Sequence, residues 1–185
     1  MTDRERLKAL LIARSVRLGE FTLASGAKSD YYIDARATTM SADGQVLVGQ
    51  VGYRLLRESG LEPTHIGGLT MGADPVAYAI AHRSGIEGHP IDGFSVRKRA
   101  KEHGTGQRVE GGVPADARCL VVEDTMTTGK SSLEAVEAVR THGARVVGVL
   151  TLVNRSVDAA SFTEQARLPL LWVFTGEELL RAARG

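Results

Sequence analysis

The chain of 185 residues has little of several things, and each shortage excludes something. It has one cysteine, Cys119, so no internal disulfide can form. The apolar neighbours of Cys119 favour a buried structural thiol over a nucleophile. It has almost no excess charge: 23 lysines and arginines against 22 aspartates and glutamates leave a net +1. Such a chain has no global field to draw it to nucleic acid or a membrane surface, so any basic site must be local. No apolar run approaches the roughly 20 residues of a membrane span. Met1 to Arg6 carries acids where a signal peptide would carry an apolar core. These absences point to the cytoplasm. No internal repeat, low-complexity tract or linker interrupts the chain, so one domain over 1–185 is expected.

Glycine, by contrast, is plentiful, with 21 residues that cluster at segment ends, among them Gly67-Gly68, Gly72, Gly104, Gly106 and Gly129. Between these clusters the periodicity predicts helices over 3–18, 42–58, Pro75 to about 83, 131–142, 157–167 and 177–184. Extended segments are predicted at 20–23, 30–35, 64–69, 91–96, 118–122, 145–153 and 168–174. Trp172, within the last of these, is expected in the core. Runs such as Val146-Val147-Gly148-Val149-Leu150 suit strands buried on both faces. The alternation predicts an α/β fold: an open, mainly parallel sheet flanked by helices. Such sheets bind ligands at the carboxyl ends of their strands. An acidic pair, the Gly72 turn, a long loop and Asn154-Arg155 all fall at such ends.

The acidic pair carries most of the chemistry. The apolar stretch Cys119 to Val122 ends in Glu123 and Asp124, and a hydroxyl-rich loop with Gly129 leads into a helix. Free N–H groups at a helix start attract phosphate. The carboxylates cannot serve a phosphate; they suit sugar hydroxyls or a metal-bound group. A P-loop would share Gly129-Lys130-Ser131, but its first glycine belongs at position 124, where Asp124 would repel a polyphosphate. The plain alternative is a strand–loop–helix connection with a Ser/Thr cap.

A second unusual segment is aperiodic, from Lys98 to Val113, which is long for a loop and is therefore either disordered or functional. Five of the twelve residues 97–108 are Lys or Arg. A solvated surface loop is one reading. A cationic lid over an anionic ligand is the other, hinged at Gly104 and Gly106, neutralising a leaving group and excluding water. No aromatic residue lies among these cations to stack on nucleic-acid bases.

With these residues in view, the chain resembles a known family. Val121-Val122-Glu123-Asp124-Thr125-Met126-Thr127-Thr128-Gly129 resembles the phosphoribosyl pyrophosphate (PRPP) signature of type I phosphoribosyltransferases, a Rossmann-like fold. Three further segments resemble the orotate phosphoribosyltransferase family within it. They are Phe21-Thr22-Leu23-Ala24-Ser25-Gly26 with Ser29 to Asp34, the loop Arg97-Lys98 with Lys101 and His103-Gly104, and Gly67 to Pro75. The resemblance implies a small N-terminal substrate hood of about residues 1–40. It implies that Glu123, Asp124, Thr125, Met126, Thr127, Thr128, Gly129, Lys130 and Ser131 hold the ribose and 5-phosphate of PRPP. Arg97, Lys98, Lys101 and His103 would contact its diphosphate, with Lys101, His103 and Asp124 catalytic. Thr127 and Arg155 would hold orotate, and a planar carboxylate does suit an arginine fork. Mg²⁺ would be held mainly through PRPP rather than by protein ligands. Loop 97–112 would be shared across a homodimer interface, with no nucleic-acid or membrane partner. One departure is Ala24, where the family often has a lysine.

The implied reaction transfers the 5-phosphoribosyl group from PRPP to orotate, giving orotidine 5′-phosphate and pyrophosphate, a step of de novo pyrimidine (UMP) biosynthesis. A phosphoribosyltransferase acting on a purine and a non-catalytic PRPP-sensing regulator are the alternatives. Arg155 argues against the first, and the absence of a visible winged-helix extension argues against the second. His65, His82, His89 and His142 lack a partner cluster. Of Tyr31 and Tyr32, one is expected in the core and the other near the base. Asp34 and Arg36 are expected to pair on the surface.

Overall fold

A two-stranded hairpin and a six-stranded sheet organise the chain, seen in a computed structural model that describes residues 1–22, 26, 28–99, 107–155 and 158–185. Helix α1 (Asp3–Ser15) opens with a capping box, in which the Thr2 hydroxyl and the Glu5 carboxylate satisfy each other's backbone N–H groups. It stops at Ser15, short of the expected 18, because Val16 turns to extended backbone (φ −94°, ψ 128°). Val16 and Leu18 satisfy a period of two as well as one of 3.6, and they belong to β1 (Val16–Thr22), antiparallel to β2 (Lys28–Ile33).

The main sheet comprises β3 (His65–Leu69), β4 (Asp92–Val96), β5 (Val109–Glu110), β6 (Arg118–Met126), β7 (Arg145–Asn154) and β8 (Leu170–Thr175). Their order is β5-β4-β3-β6-β7-β8, and only β5 runs antiparallel. Around them lie α2 (Arg36–Thr39), α3 (Ala42–Glu58), α4 (Ala73–Ile86), α5 (Lys130–His142), α6 (Ala159–Ala166) and α7 (Gly176–Ala183). The open, mainly parallel α/β architecture is thus the one the alternating pattern predicts.

Each face of the sheet has its own core. Leu120, Val122, Leu150 and Leu152 point to the side of α1, α3 and α4, where they meet Leu7, Leu11, Leu47 and Ile80. Cys119, Val121 and Val149 point the other way, toward Val136 and Val139 of α5 and Phe162 of α6. Both faces of β6 and β7 are covered, which is why these strands read as unbroken apolar runs. Burial pushes the Cys119 thiol up to about 11, as befits an inert core residue.

Four details depart from the sequence reading. Trp172 is 39% exposed: β8 is an edge strand, and its outer positions have no neighbour to cover them. Neither Tyr31 nor Tyr32 enters the core; Ile33 takes that place in β2. The short elements α2 and β5 have no periodic signal to betray them. β6 runs on through Met126, so the acidic pair lies within the strand rather than after it.

The topology positions a site. From β3 the chain moves outward to β4 and β5, then returns to the opposite side of β3 to lay down β6, β7 and β8. The connections leaving β3 and β6 therefore diverge to opposite faces: α4 covers one side and α5 the other. A crevice opens between their carboxyl ends, at the switch point where open α/β sheets bind ligands.

Candidate active site

A cleft of about 400 Å³ occupies this crevice. The end of β3 contributes Thr70 to Gly72, β6 and its loop contribute Glu123 to Thr125, Thr127 and Ser131, and β2 with its exit contributes Tyr32, Asp34 and Arg36. Lys98 and Arg155 complete the wall, so cations and carboxylates face one another across one space.

The acidic pair is held in a largely dry position. Burial pushes Glu123 up to about 7 from its ordinary 4.5; hydrogen bonds from Ser132 and Ser131 pull it back, and the Asp124 charge adds to the rise. The Ser132 hydroxyl donates to Glu123 Oε2. Burial also raises Asp124, opposed by the Thr125 N–H at 2.9 Å from its Oδ1 and by the charge of Arg36. Two adjacent carboxyls with raised proton affinity ask for hydroxyl donors or a cation to settle their charge. Gly72 lies hard against this pair: a Cβ at that position would stand 2.5 Å from Asp124 Oδ1. The loop after β3 can approach the carboxylate only because residue 72 has no side chain.

That loop is braced from behind. Thr70 Oγ1 and Ser95 Oγ donate to the two oxygens of Asp74, each at 2.6 Å, tying the turn after β3 to the end of β4. Asp74 lies in the first turn of α4, where an acid also opposes the helix dipole.

The loop after β6 supplies the other wall. Gly129, at φ 73°, caps α5 in the left-handed region, and a Cβ there would meet the Phe162 ring at 2.8 Å. Glycine is required on both counts. Gly129 has no side chain to cap α5, so N–H groups of its first turn beyond that of Lys130 remain available at the mouth of the cleft beside Ser131. Not every residue of the predicted 123–131 set offers its side chain. Met126 is fully buried in the core, so only its backbone is available, and its carbonyl accepts the Arg155 N–H at 2.8 Å. The Thr125 hydroxyl is buried with no hydrogen-bond partner among the described residues. Thr128 and Lys130 are exposed beside the cleft, where the Lys130 N–H meets Thr128 Oγ1 at 3.4 Å.

Arg155 follows β7. Its guanidinium lies 5.1 Å from the Tyr31 ring centroid, and its Nε is buried with no hydrogen-bond partner among the described residues. A buried, unsatisfied guanidinium N–H costs about 1–3 kcal/mol, which an incoming planar acid would remove. The stack joins the hairpin to the sheet, so β2 closes over the cleft from above.

Asp34 and Arg36, expected on the surface, do pair: Arg36 Nε lies 2.8 Å from Asp34 Oδ1 and its NH2 3.1 Å from Oδ2. The Arg36 hydrogen bonds hold the Asp34 carboxyl below its usual range. The pair nevertheless lines the cleft, because α2 turns the chain back toward the end of β3. No local signal marks this, since the contact is between segments distant in sequence.

The basic loop is clamped at its base. Arg97 N–H donates to the Arg108 carbonyl at 2.8 Å, β5 pairs with β4, and Arg97 Nε meets Glu110 at 2.7 Å. Lys98 reaches the cleft. Lys101 and His103 lie outside the described residues, as does Ala24. No three His, Cys, Asp or Glu among the described residues group into a metal cage. Glu123 and Asp124 are hard oxygen donors that suit Mg²⁺, and two carboxylates leave most of an octahedral shell to water and substrate phosphates.

This geometry can be set beside known proteins. The family model described as "Phosphoribosyl transferase domain" matches residues 47–161, which span β3, β6, the acidic pair and Arg155. An orotate phosphoribosyltransferase of Streptomyces avermitilis is 48% identical over 167 residues, covering 90% of this chain and 91% of that protein. The chain belongs to the orotate phosphoribosyltransferase family. Among solved structures, orotate phosphoribosyltransferase of Mycobacterium tuberculosis H37Rv in complex with Fe(III) dicitrate superposes with a TM-score of 0.85. It is 43% identical, with 96% of this chain and 99% of that one covered. The same enzyme in complex with 5-phospho-α-D-ribosyl 1-diphosphate gives a TM-score of 0.80 at 39% identity, covering 96% and 99%. The orotate phosphoribosyltransferase family thus matches this chain across nearly its whole length. Among the described residues no helix is long and apolar enough to cross a membrane.

Proposed function

We propose that this chain transfers the 5-phosphoribosyl group of PRPP to N1 of orotate, giving orotidine 5′-phosphate and pyrophosphate in the making of UMP. The observation that carries the reading is the largely desolvated Glu123-Asp124 pair within the last residues of β6, set between the start of α5 and the loop braced by Asp74. In it, the first turn of α5 with Thr127 to Ser131 receives the 5-phosphate, and Glu123 and Asp124 accept the ribose hydroxyls.

The bond between the anomeric carbon and the diphosphate oxygen breaks, and its electron pair leaves with pyrophosphate. Orotate N1 forms the new bond to that carbon, and its proton passes to the departing pyrophosphate or to water. Positive charge develops on the ribose, where Asp124 is the nearest carboxylate of the pair to the Gly72 loop. Arg97, Lys98, Lys101 and His103 act on the departing diphosphate. Thr127 and Arg155 hold orotate, its carboxylate taking the buried Nε of Arg155. A purine offers that guanidinium no carboxylate. Mg²⁺, held mainly through PRPP with Glu123 or Asp124 nearby, supplies neutralisation of the diphosphate when bound.

The reading further assigns one catalytic domain over 1–185, with the N-terminal segment of about 1–40 as its hood. Loop 97–112 is shared across a homodimer interface. The reading keeps the enzyme in the cytoplasm. Its test is the fall in orotate absorbance on adding PRPP and Mg²⁺ to the purified protein. A fall with orotate, and none with hypoxanthine or adenine as acceptor, is expected; pyrophosphate release with a purine alone would overturn the assignment.

A further inference from the structure

At the opposite end of the sheet a second cleft, of about 650 Å³, is lined by four arginines: Arg118, Arg140, Arg145 and Arg167. Elsewhere the arginines mostly meet carboxylates, as Arg97 meets Glu110 and Arg181 meets Glu177. None of these four has an ion-pair partner among the described residues. Glu62 is the one acid in the lining, and it offers Arg118 its carbonyl, not its carboxylate.

All four arginines are exposed, and two features order them beyond a solvated surface. Arg118 and Arg145 begin β6 and β7 as direct register partners, so two like charges stand side by side on adjacent strands. Like charges so placed repel weakly across solvent, and an anion between them would turn that repulsion into attraction. Two of the guanidiniums are pre-aimed by backbone carbonyls, Arg118 Nε to Glu62 O at 2.7 Å and Arg140 NH2 to Ala166 O at 3.1 Å, which orders them without neutralising them. Arg167, at φ 54°, is the left-handed C-cap of α6, which fixes its place on the rim of the cleft. The dipole of α5 accounts for Arg140 in its last turn, and the end of α6 accounts for the backbone of Arg167, but neither accounts for the in-register pair.

We propose that this cleft binds a small molecule carrying two or more phosphate charges, its oxygens bridging the in-register arginines by bidentate contacts. The cleft has the volume of a small-ligand site. It lacks the aromatic platform that a nucleic-acid strand would need. The proposal does not depend on the reaction assigned above.

Equilibrium dialysis with inorganic pyrophosphate, and separately with ADP, tests it at physiological salt. Because the active-site cleft can also take pyrophosphate, the quantity read is the difference between proteins. R118S/R145S is expected to bind one equivalent fewer per chain than the unaltered protein. R167G should fold at least as well, since glycine accepts positive φ, and should bind at this site about tenfold more weakly while PRPP turnover stays unchanged. R167G decides the matter if the double variant does not fold. ADP binding that falls in the same variants marks a nucleotide site, and loss of pyrophosphate alone marks a phosphate site; either supports the proposal. Equal stoichiometry and affinity in all three proteins would overturn it, as would displacement of the bound phosphate by a short RNA at equal concentration.

Discussion

The buried carboxyl of Glu123 should make the protein less stable as pH rises, and Glu123→Gln should abolish that loss. The folded chain holds this proton up to about pH 7, whereas the unfolded chain releases it near 4.5. Between those values the folded state binds more protons, so stability falls with increasing pH and the loss is complete above 7. The shift from 4.5 to about 7, at 1.36 kcal/mol per unit, amounts to about 3 kcal/mol. Glutamine cannot ionise, yet its carbonyl oxygen still accepts the Ser132 hydroxyl that Glu123 accepts. The variant should therefore match the parent near pH 4.5 and exceed it by about 3 kcal/mol at pH 8, or roughly 10 °C in Tm for a chain of this size. Urea unfolding of both proteins across pH 4.5–8 reads the difference, because the titrating groups other than Asp124, whose charge is coupled to Glu123, cancel between them. The gain carries a functional cost: the neutral amide is a poorer acceptor for ribose hydroxyls, and PRPP should bind about 10–100-fold more weakly. Two stability curves that stay parallel with pH would refute the placement of Glu123 in a desolvated pocket.

Other substitutions address the remaining parts. Lys101→Ala should lower turnover by about 10²–10³ while circular dichroism and Tm stay unchanged; undiminished turnover would remove the lid from the mechanism. Arg155→Lys keeps the charge but loses the fork and its stack on Tyr31, so the KM for orotate should rise about tenfold or more with little change in PRPP affinity, by steady-state kinetics with each substrate varied. Gly72→Ala puts a methyl against Asp124 and should cost about 10²-fold in kcat/KM with the fold retained, as circular dichroism would show.

Much of the architecture was legible because β6 and β7 are covered on both faces, and continuous apolar runs with glycine punctuation say so locally. Glu123-Asp124 and Arg155 were legible for a related reason: polar residues placed abruptly at the end of such a run have no packing role. What sequence could not disclose depends on neighbours. Val16 and Leu18 fit a helix and a strand equally, and the pairing with β2 decides. Trp172 looks like core until β8 proves to be an edge. Asp34 and Arg36 look like a surface pair until α2 folds them over the cleft. The acceptor role of Asp74 toward Thr70 and Ser95 is likewise invisible, since Ser95 comes from a different strand.

The central claim is that the crevice between β3 and β6 grips an activated pentose through its acidic pair. Calorimetric titration of the folded protein with PRPP, with and without Mg²⁺, tests it most directly. The account predicts one PRPP per chain with magnesium, much weaker uptake without it, and a marked loss of affinity in Asp124→Asn. Binding of equal strength in that variant, or no uptake by well-folded protein at all, would contradict it.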